Sequence, residues 1–330
     1  MISENKLTVV MYHYVRDLKN SRYPGIKGLQ TDLFKEQIYY LRKHYNFVKI
    51  EEVLEAFKTG SAKLLPKHPV LLTFDDAYAD HFNTVFPILE HENIQGCFYA
   101  PVKAVTEHTV LDVNKIHFIL ASTPNEKLPS LINEIKILLN KYREEYCLEP
   151  FDNYYKRLAV ASRFDPAEVI FVKRLLQVEL DETLRKVITD ILFQKIIGID
   201  EASFSRELYM NKDQIKCMVD CGMHFGSHGY DHYWLNSLSK TKQEFEIKKS
   251  IDFIKEVGCD PLNWTICYPY GAYDDSTIEL LKENGCKLGL TTTVDLANPE
   301  ENGRDLIYKL PRLDTNDIPK NRDAEVNQWY

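Results

Sequence analysis

Short apolar runs alternate with longer segments of helical periodicity along residues 1–106. The runs LTVVMYH (7–13), HPVLLTF (68–74) and GCFYAP (96–101) have the length and apolar character of buried strands. Between them, TDLFKEQIYYLRKHY (31–45) repeats its apolar positions every three or four residues, which predicts an amphipathic helix. Strands that alternate with helices are typical of parallel sheets, so this part of the chain predicts a parallel sheet or barrel.

The alternation stops within residues 107–210 and resumes after them. Residues 107–210 contain mostly helical patterns, such as LPSLINEIKILLNKYREEY (128–146). Further strand candidates follow at 223–228, 264–269, 287–293 and 308–313. We therefore predict a (β/α) barrel of about seven strands from residues 1–106 and 211–330. Residues 107–210 are predicted to form a helical insertion that acts as a lid or as a contact in a homo-oligomer.

The charge of the chain excludes one class of partner. The net charge is −8 at pH 7, the pI is near 5.7, and no block of basic residues stands out. A nucleic-acid-binding protein needs such a block to neutralise phosphates. We therefore expect no nucleic-acid partner.

The first residues and the cysteines bear on the compartment. The apolar run within MISENKLTVVMYHYVRD is too short for the apolar region of a signal peptide, and no stretch approaches the ~20 apolar residues of a membrane helix. The seven cysteines are an odd number without regular spacing, which argues against a disulfide scaffold. These features predict a cytoplasmic protein without a transmembrane segment.

Polar residues suited to chemistry follow three of the predicted strands. They are Asp75 and Asp76 after the strand at 68–74, His228 and His232 after the strand at 223–228, and Tyr270 with Gly271 after the strand at 264–269. Because the carboxyl ends of parallel strands meet at the same edge of a sheet or barrel, we expect these residues to face one ligand.

The two histidines and the paired carboxylates together predict a metal site. The i, i+4 spacing of His228 and His232 lets two imidazoles converge on one ion. Two imidazoles and one carboxylate leave open positions on a divalent metal, as a hydrolytic site needs for a water. Either pattern by itself is weak, since an Asp-Asp pair after a strand is more often a turn or a helix cap. In the joint reading, one carboxylate binds the cation and the other takes a proton from the water.

The motifs TFDDAYAD, SHGYDH and YPYGAYD, in this order, resemble the first three motifs of the polysaccharide deacetylase family, also called the NodB-homology family. The resemblance covers residues 6–106 and 211–313. It implies a deformed (β/α) barrel that uses a divalent metal to hydrolyse N- or O-acetyl groups on sugars, as carbohydrate esterases do. The segment MYHYVRD also resembles a branch of the family found with bacterial surface-glycan enzymes.

The resemblance implies a role for each motif residue. Asp75 resembles the general base, and Asp76, His228 and His232 resemble the Asp-His-His metal triad. The implied metal is Zn²⁺ in the first place, with Co²⁺ or Ni²⁺ as alternatives. The implied oxyanion and substrate contacts are the backbone near Tyr270 and Gly271, together with Leu290 of the fifth motif.

Two departures from the family motifs concern loops. Ala77 stands where the first motif usually has glycine, which we expect to be tolerated if φ at this residue is negative. Gly229 stands where the second motif usually has Ser or Thr, so a hydroxyl that would brace the loop is lost.

Two further departures concern catalytic groups. Cys267 stands where the third motif often has an arginine that orients the catalytic Asp, and Arg312 is our candidate to supply the guanidinium. The alternative for Arg312 is a structural or surface ion pair. The fifth motif has Leu290 but no histidine to act as general acid, and His13 is the candidate replacement. The alternative for His13 is a buried, hydrogen-bonded structural residue.

These residues favour a metal-dependent deacetylase that acts on the N-acetyl group of an amino sugar in a bacterial surface-glycan precursor or polysaccharide. A second hypothesis is a hydrolase of a non-sugar amide or cyclic imide. A third is a catalytically silent barrel that binds glycans.

Overall fold

A computed structural model of the chain describes residues 5–162, 165–301 and 305–330. The chain forms two compact units. The first, the barrel unit, comprises Met1–Asp17, Gly28–Thr109 and Ser205–Tyr330, and the second, the helical unit, comprises Leu18–Lys27 and Val110–Phe204.

The strands lie in the barrel unit. In chain order they are β1 (Thr8–Tyr12), β2 (Val15–Arg16), β3 (Leu29–Gln30), β4 (Asn46–Phe47), β5 (Pro69–Asp75), β6 (Gly96–Ala100), β7 (His224–Ser227), β8 (Thr265–Cys267), β9 (Leu288–Leu290) and β10 (Leu313–Asp314). The helices, again in chain order, are α1 (Thr31–His44), α2 (Ile50–Thr59), α3 (Phe86–His91), α4 (Val102–Thr106), α5 (Asp112–Ala121), α6 (Leu128–Tyr142), α7 (Phe151–Leu158), α8 (Ala167–Arg174), α9 (Glu182–Ile196), α10 (Glu201–Leu208), α11 (Lys212–Asp220), α12 (Lys240–Glu256) and α13 (Asp275–Glu283). Across the described residues, no helix combines the length and the apolar character needed to span a bilayer.

The main sheet is parallel and runs in the order β10-β1-β5-β6-β7-β8-β9, with β4 beside the start of β5. The Leu310 N–H donates to the Gly289 carbonyl at 2.9 Å, and the Thr291 N–H donates to the Leu310 carbonyl at 2.9 Å. These bonds join β9 to the segment that enters β10, so the two ends of the sheet meet. Because the strands on this side have only two or three residues, the barrel is irregular. The deformed (β/α) barrel predicted from the sequence is confirmed.

The two faces of β5 have different neighbours, because alternate residues of a strand point to opposite sides. Leu72 and Phe74 pack in the apolar cluster between the sheet and its helices, where the Phe74 ring stacks on Phe98 with centroids 4.8 Å apart. Leu71 packs in a second cluster, formed by residues from several strands in the barrel interior. Asp75, four residues after Leu71, shares its face and points toward this interior.

The helical unit has its own core. The Phe118 ring lies edge-on to Phe204 at 4.8 Å and to Tyr23 at 5.0 Å. The buried Lys115 ammonium pairs with Asp190 and Glu201. Residues 18–27 also belong to this unit, although they lie far from residues 110–204 in the sequence. The sequence patterns did not predict this. Its role as a lid or oligomer contact stays a prediction.

Candidate active site

The turn after β5 gives two adjacent carboxylates different partners. Asp75 ends β5, and the next two residues, Asp76 and Ala77, adopt left-handed conformations with φ of 76° and 51°. We expected Ala77 to be tolerated if its φ were negative. The observed φ is positive, so this condition is not met. A side chain in this conformation costs roughly 1–2 kcal/mol, a cost that the glycine of the usual motif avoids.

Asp75 is held by Arg312 in the barrel interior. The Arg312 Nη1 and Nη2 atoms donate to Asp75 Oδ1 and Oδ2 at 3.0 and 2.8 Å, and both side chains are buried. Arg312 Nε donates to the Thr291 carbonyl at 2.8 Å, which fixes the plane of the guanidinium. Burial by itself raises the pKa of Asp75, but the Arg312 guanidinium, with smaller contributions from His228 and His13, holds this pKa well below its usual range. Asp75 is therefore a carboxylate at neutral pH, and Arg312 is not a surface residue.

Cys267 occupies the position of the usual motif arginine. Its Sγ donates to Asp75 Oδ2 at 3.3 Å. Burial raises the pKa of the Cys267 thiol well above its ordinary value, so the group stays protonated and can act as a donor. The structure thus surrounds Asp75 with the Cys267 thiol at the expected motif position and the Arg312 guanidinium from the far end of the chain.

Asp76, His228 and His232 form a second, separate cluster. Asp76 Oδ1 lies 3.5 Å from His228 Nε2 and 3.4 Å from His232 Nε2. His228 Nδ1 lies 2.7 Å from the Cys267 carbonyl, which can only accept, so Nδ1 carries the proton and the lone pair of Nε2 faces Asp76. Burial lowers the pKa of His232 to about 3, despite the opposing effect of Asp76, so this imidazole is neutral at pH 7.

The atoms of this cluster fit a divalent metal. Asp76 Oδ2 accepts a hydrogen bond from the Tyr78 hydroxyl at 2.6 Å, whereas the buried Oδ1 atom has no hydrogen-bond partner among the described residues. An unpartnered buried carboxylate oxygen is costly unless a cation compensates it. Two imidazoles and one carboxylate are the donor set of hydrolytic zinc sites. The three ligand atoms lie within 4.8 Å of one another, so Asp76, His228 and His232 could hold one ion.

A second group, Asp75, His228 and Cys267, also has ligand atoms within 4.8 Å of one another. Its chemistry is less suitable. The carboxylate of Asp75 is occupied by Arg312, and Cys267 would have to lose its proton to bind a metal. The cluster around Asp76 is therefore the better candidate metal centre.

His13 lies beside Asp75. Its Nε2 atom is 3.9 Å from Asp75 Oδ2, and its side chain is 42% exposed. This exposure contradicts the burial assumed in the alternative reading of His13, and the role of the residue stays a prediction. The His13 carbonyl lies 2.9 Å from Nε2 of the fully buried His81, which fixes the backbone at this point.

Tyr270 lies next to the cluster of Asp76, His228 and His232. Its ring contacts His232 edge-on at 4.8 Å and stacks on Trp234 at 4.6 Å with an angle of 6° between the planes. Tyr270 and Gly271 have φ of 57° and 72°, so the chain turns sharply after β8. The Gly271 N–H donates to the Tyr268 carbonyl at 2.8 Å and is therefore already used within the turn.

Leu290, at the end of β9, is fully buried in the cluster of the barrel interior that also contains Cys267. No surface of its side chain is open to a substrate. Its place in the structure is a packing position beside Cys267.

Sequence reasoning missed three residues that hold the site together. Tyr78 donates to Asp76, His81 supports the His13 backbone, and the buried Glu246 of α12 contacts the loop between His228 and His232. Tyr78 and His81 lie within or next to the first motif, and their proximity to Asp76 could have suggested them. Nothing in the sequence pattern links Glu246 to the histidines, because the contact arises only when α12 packs beside β7.

Comparison with known proteins agrees with the motifs. Residues 195–289 match the polysaccharide deacetylase family model, a segment that includes His228, His232 and Tyr270 but neither carboxylate of the first motif. Over 88 residues, the chain is 35% identical to the poly-beta-1,6-N-acetyl-D-glucosamine N-deacetylase of Escherichia coli (strain K12). This match covers 26% of the chain but only 12% of that relative.

Two solved structures share the fold. The Streptococcus pyogenes deacetylase PplD, in complex with acetate, superposes with a TM-score of 0.55 at 19% identity and covers 94% of this chain and 92% of its own. The structure of IcaB from Ammonifex degensii gives a TM-score of 0.53 at 19% identity, with 93% and 91% covered. At this identity the likeness shows the deformed barrel and does not by itself show the activity. Taken with the matched family model, it confirms the resemblance of this chain to the polysaccharide deacetylase family that the sequence motifs predicted.

Proposed function

We propose that this protein is a metal-dependent deacetylase that hydrolyses the N-acetyl group of an amino sugar in a bacterial surface glycan or its precursor. One observation carries the proposal. The adjacent carboxylates Asp75 and Asp76 have separate partners, a guanidinium for the first and two imidazoles for the second. Such a division suits one group that moves a proton and one that binds a cation.

Asp76, His228 and His232 would hold the ion, and their nitrogen and oxygen atoms suit Zn²⁺, with Co²⁺ and Ni²⁺ as substitutes. When bound, a divalent metal supplies a Lewis acid that polarises a water and an acyl carbonyl. Tyr78 keeps Asp76 oriented with Oδ1 toward the histidines. The Cys267 carbonyl keeps the Nε2 lone pair of His228 on the same side.

Asp75 accepts the proton of the attacking water. Its two bonds from Arg312 fix the carboxylate plane and keep it ionised. The low pKa makes Asp75 a weak base in water, but a base that is already charged and oriented needs no reorganisation when the proton moves.

His13 protonates the nitrogen that leaves as the amine. Its side chain is near enough to Asp75 to share the reacting region, and its exposure allows contact with a substrate. The turn at Tyr270 remains the proposed contact for the oxyanion. The Gly271 N–H is not available for this role, because it donates a hydrogen bond to the Tyr268 carbonyl. We assign no substrate contact to the buried Leu290. Acetate and a free amino sugar are the products.

The substrate class rests on the relatives. The Escherichia coli relative is named for removing N-acetyl groups from a β-1,6-linked glucosamine polymer, which makes an N-acetylated amino sugar the first substrate to test. The stacked pair of Trp234 and Tyr270 offers an aromatic surface of the kind that sugar rings pack against. The predicted cytoplasmic location would favour a nucleotide- or lipid-linked precursor over a finished polymer.

Acetate release tests the proposal. The purified protein is freed of metal with a chelator, reloaded with Zn²⁺, Co²⁺ or Ni²⁺, and incubated with N-acetylated glucosamine oligomers, nucleotide-linked N-acetyl amino sugars and, as a different class, small cyclic imides. We expect acetate from an amino sugar only after reloading. Ring opening of imides without acetate release would support the second hypothesis. A reloaded protein inactive on all three classes would contradict the proposal.

A further inference from the structure

The loop HGYDH (228–232) joins the two histidines. Two carbonyl groups of this loop accept hydrogen bonds from the start of α4. The Val102 and Lys103 N–H groups donate to the carbonyls of Gly229 and Tyr230 at 3.1 and 3.0 Å. The Lys103 side chain also pairs with Asp231. These contacts fix one side of the loop.

The amide side of the same loop converges on a single carboxylate. The Tyr230 and Asp231 N–H groups both donate to Glu246 Oε2, at 2.6 and 3.0 Å. Glu246 lies on α12 and is 3% exposed. Consecutive N–H groups that point into one concavity form an anion-binding arrangement, and bonds to a charged acceptor are stronger than neutral ones.

The close approach of the Glu246 carboxylate favours glycine at position 229. Gly229 has φ of 74°, and a β-carbon at this residue would lie 3.1 Å from Glu246 Oε2. The Ser or Thr of the usual motif would therefore crowd the carboxylate. At this position the chain has no hydroxyl, and the buried Glu246 carboxylate lies beside the loop.

The two histidines are supported differently. The ring of His228 is oriented by its own bond to the Cys267 carbonyl. His232 has no comparable bond, because its Nδ1 atom is buried without a hydrogen-bond partner in the described part of the chain. Its φ is 60°, a conformation that is unfavourable for a residue with a side chain. The direction of the His232 ring thus depends on the backbone of the loop and on ring contacts with His228 and Tyr270.

We infer that Glu246 is the positioning residue for His232, acting through the loop backbone and without contact to the metal. The inference rests on the metal-binding part of the proposed function. When outer partners of metal ligands are removed, affinity typically falls 10–100-fold. We expect a loss of this size when the Glu246 carboxylate can no longer reach the loop.

Metal affinity in solution tests the inference. Competition with a chromophoric chelator gives the dissociation constant for Zn²⁺, and the visible spectrum of the Co²⁺ form reports the ligand geometry. Glu246→Asp keeps the charge but is one methylene too short to reach both N–H groups, so we expect weaker affinity, by about 10-fold or more, and an altered spectrum. Glu246→Gln retains an acceptor oxygen at full length and should lose much less.

The matched control is Glu244→Asp on the same helix, where the side chain is 42% exposed and pairs with Lys248. It should bind Zn²⁺ like the wild type. Thermal unfolding of the metal-free variants identifies any that fail to fold, and Glu246→Gln remains informative if Glu246→Asp does not fold. Wild-type affinity in folded Glu246→Asp, or equal losses in the Asp and Gln variants, would overturn the inference.

A double variant separates positioning from general damage to the fold. In a His232→Ala background, Glu246→Asp should cause little further loss of affinity, because its effect passes through His232. Additive losses would overturn the inference. These outcomes are independent of the deacetylase proposal, since a protein that binds Zn²⁺ but releases no acetate contradicts that proposal and leaves the affinity measurements unchanged.

Discussion

Arg312 and Asp75 form a two-point ion pair in the interior of the barrel, with N–O distances of 3.0 and 2.8 Å. Removing one partner of such a pair leaves an uncompensated buried charge, which costs about 3–5 kcal/mol. We therefore expect Arg312→Met to lower the free energy of unfolding by this amount, as measured by urea denaturation. Arg322→Met removes an exposed pair with Glu36 and should leave stability almost unchanged. A loss below about 1 kcal/mol in Arg312→Met would show that the pair does not stabilise the barrel.

The two carboxylates should respond differently to removal of their charge. Asp76→Asn should weaken Zn²⁺ binding, because it removes the anionic ligand of the cluster. Asp75→Asn should keep Zn²⁺ but lower kcat by roughly 10²-fold or more, because the proton acceptor is lost. Metal content after dialysis and acetate release measure the two effects. Equal loss of metal in both variants would refute the separate roles.

The Tyr78 hydroxyl should stabilise the folded protein through its hydrogen bond to Asp76. Tyr78→Phe leaves the Asp76 Oδ2 atom without its partner, and an unsatisfied buried acceptor costs about 1–3 kcal/mol, or more when it is charged. Tyr12→Phe is the matched control, since the Tyr12 hydroxyl is also buried but has no hydrogen-bond partner among the described residues. Chemical denaturation of the two metal-free variants should show a loss for Tyr78→Phe and none for Tyr12→Phe.

Substitution of two glycines distinguishes steric crowding from backbone strain. Gly271 and Gly285 have φ of 72° and 75°, but a β-carbon at Gly271 would lie 2.3 Å from Thr292 Oγ1, whereas nothing lies within 4 Å at Gly285. Gly271→Ala should therefore destabilise the protein by roughly 1–3 kcal/mol more than Gly285→Ala. Unfolding curves for the two variants that coincide would show that the turn beside Tyr270 relaxes to admit the methyl group.

His13 should affect turnover without affecting metal binding. His13→Gln removes the group proposed to protonate the leaving amine, so we expect kcat to fall by roughly 10²-fold while the dissociation constant for Zn²⁺ stays the same. His91→Gln, at an exposed position, serves as the control. Unchanged kcat in His13→Gln would assign the acid role to another group.

The sequence predicted those parts of the site that lie at the ends of regular strands. The positions of Asp75, Asp76, His228 and His232 follow from apolar runs and a fixed spacing, and α1 follows from helical periodicity. Arg312 was proposed through the resemblance to the family, whose third motif often has an arginine where this chain has Cys267. The strand ends and the histidine spacing were visible in the chain itself, whereas the candidate guanidinium came from the resemblance.

The parts that could not be predicted depend on packing between distant segments. Glu246 reaches the histidine loop only because α12 packs beside β7, and polar residues on a helix give no sign of which loop they will meet. The left-handed conformation of Ala77 was missed because alanine usually avoids it. Residues 18–27 join the helical unit through tertiary contacts that hydrophobic periodicity does not encode.

The position of Arg312 also constrains how the protein is made. Asp75 and Arg312 are 237 residues apart in the sequence, so the guanidinium is synthesised long after the carboxylate that it pairs with. Until the segment around Arg312 has left the ribosome, Asp75 lacks this partner. Truncated chains that stop before Arg312 should therefore lack the ion pair and, under the proposed function, release no acetate even though both histidines are present.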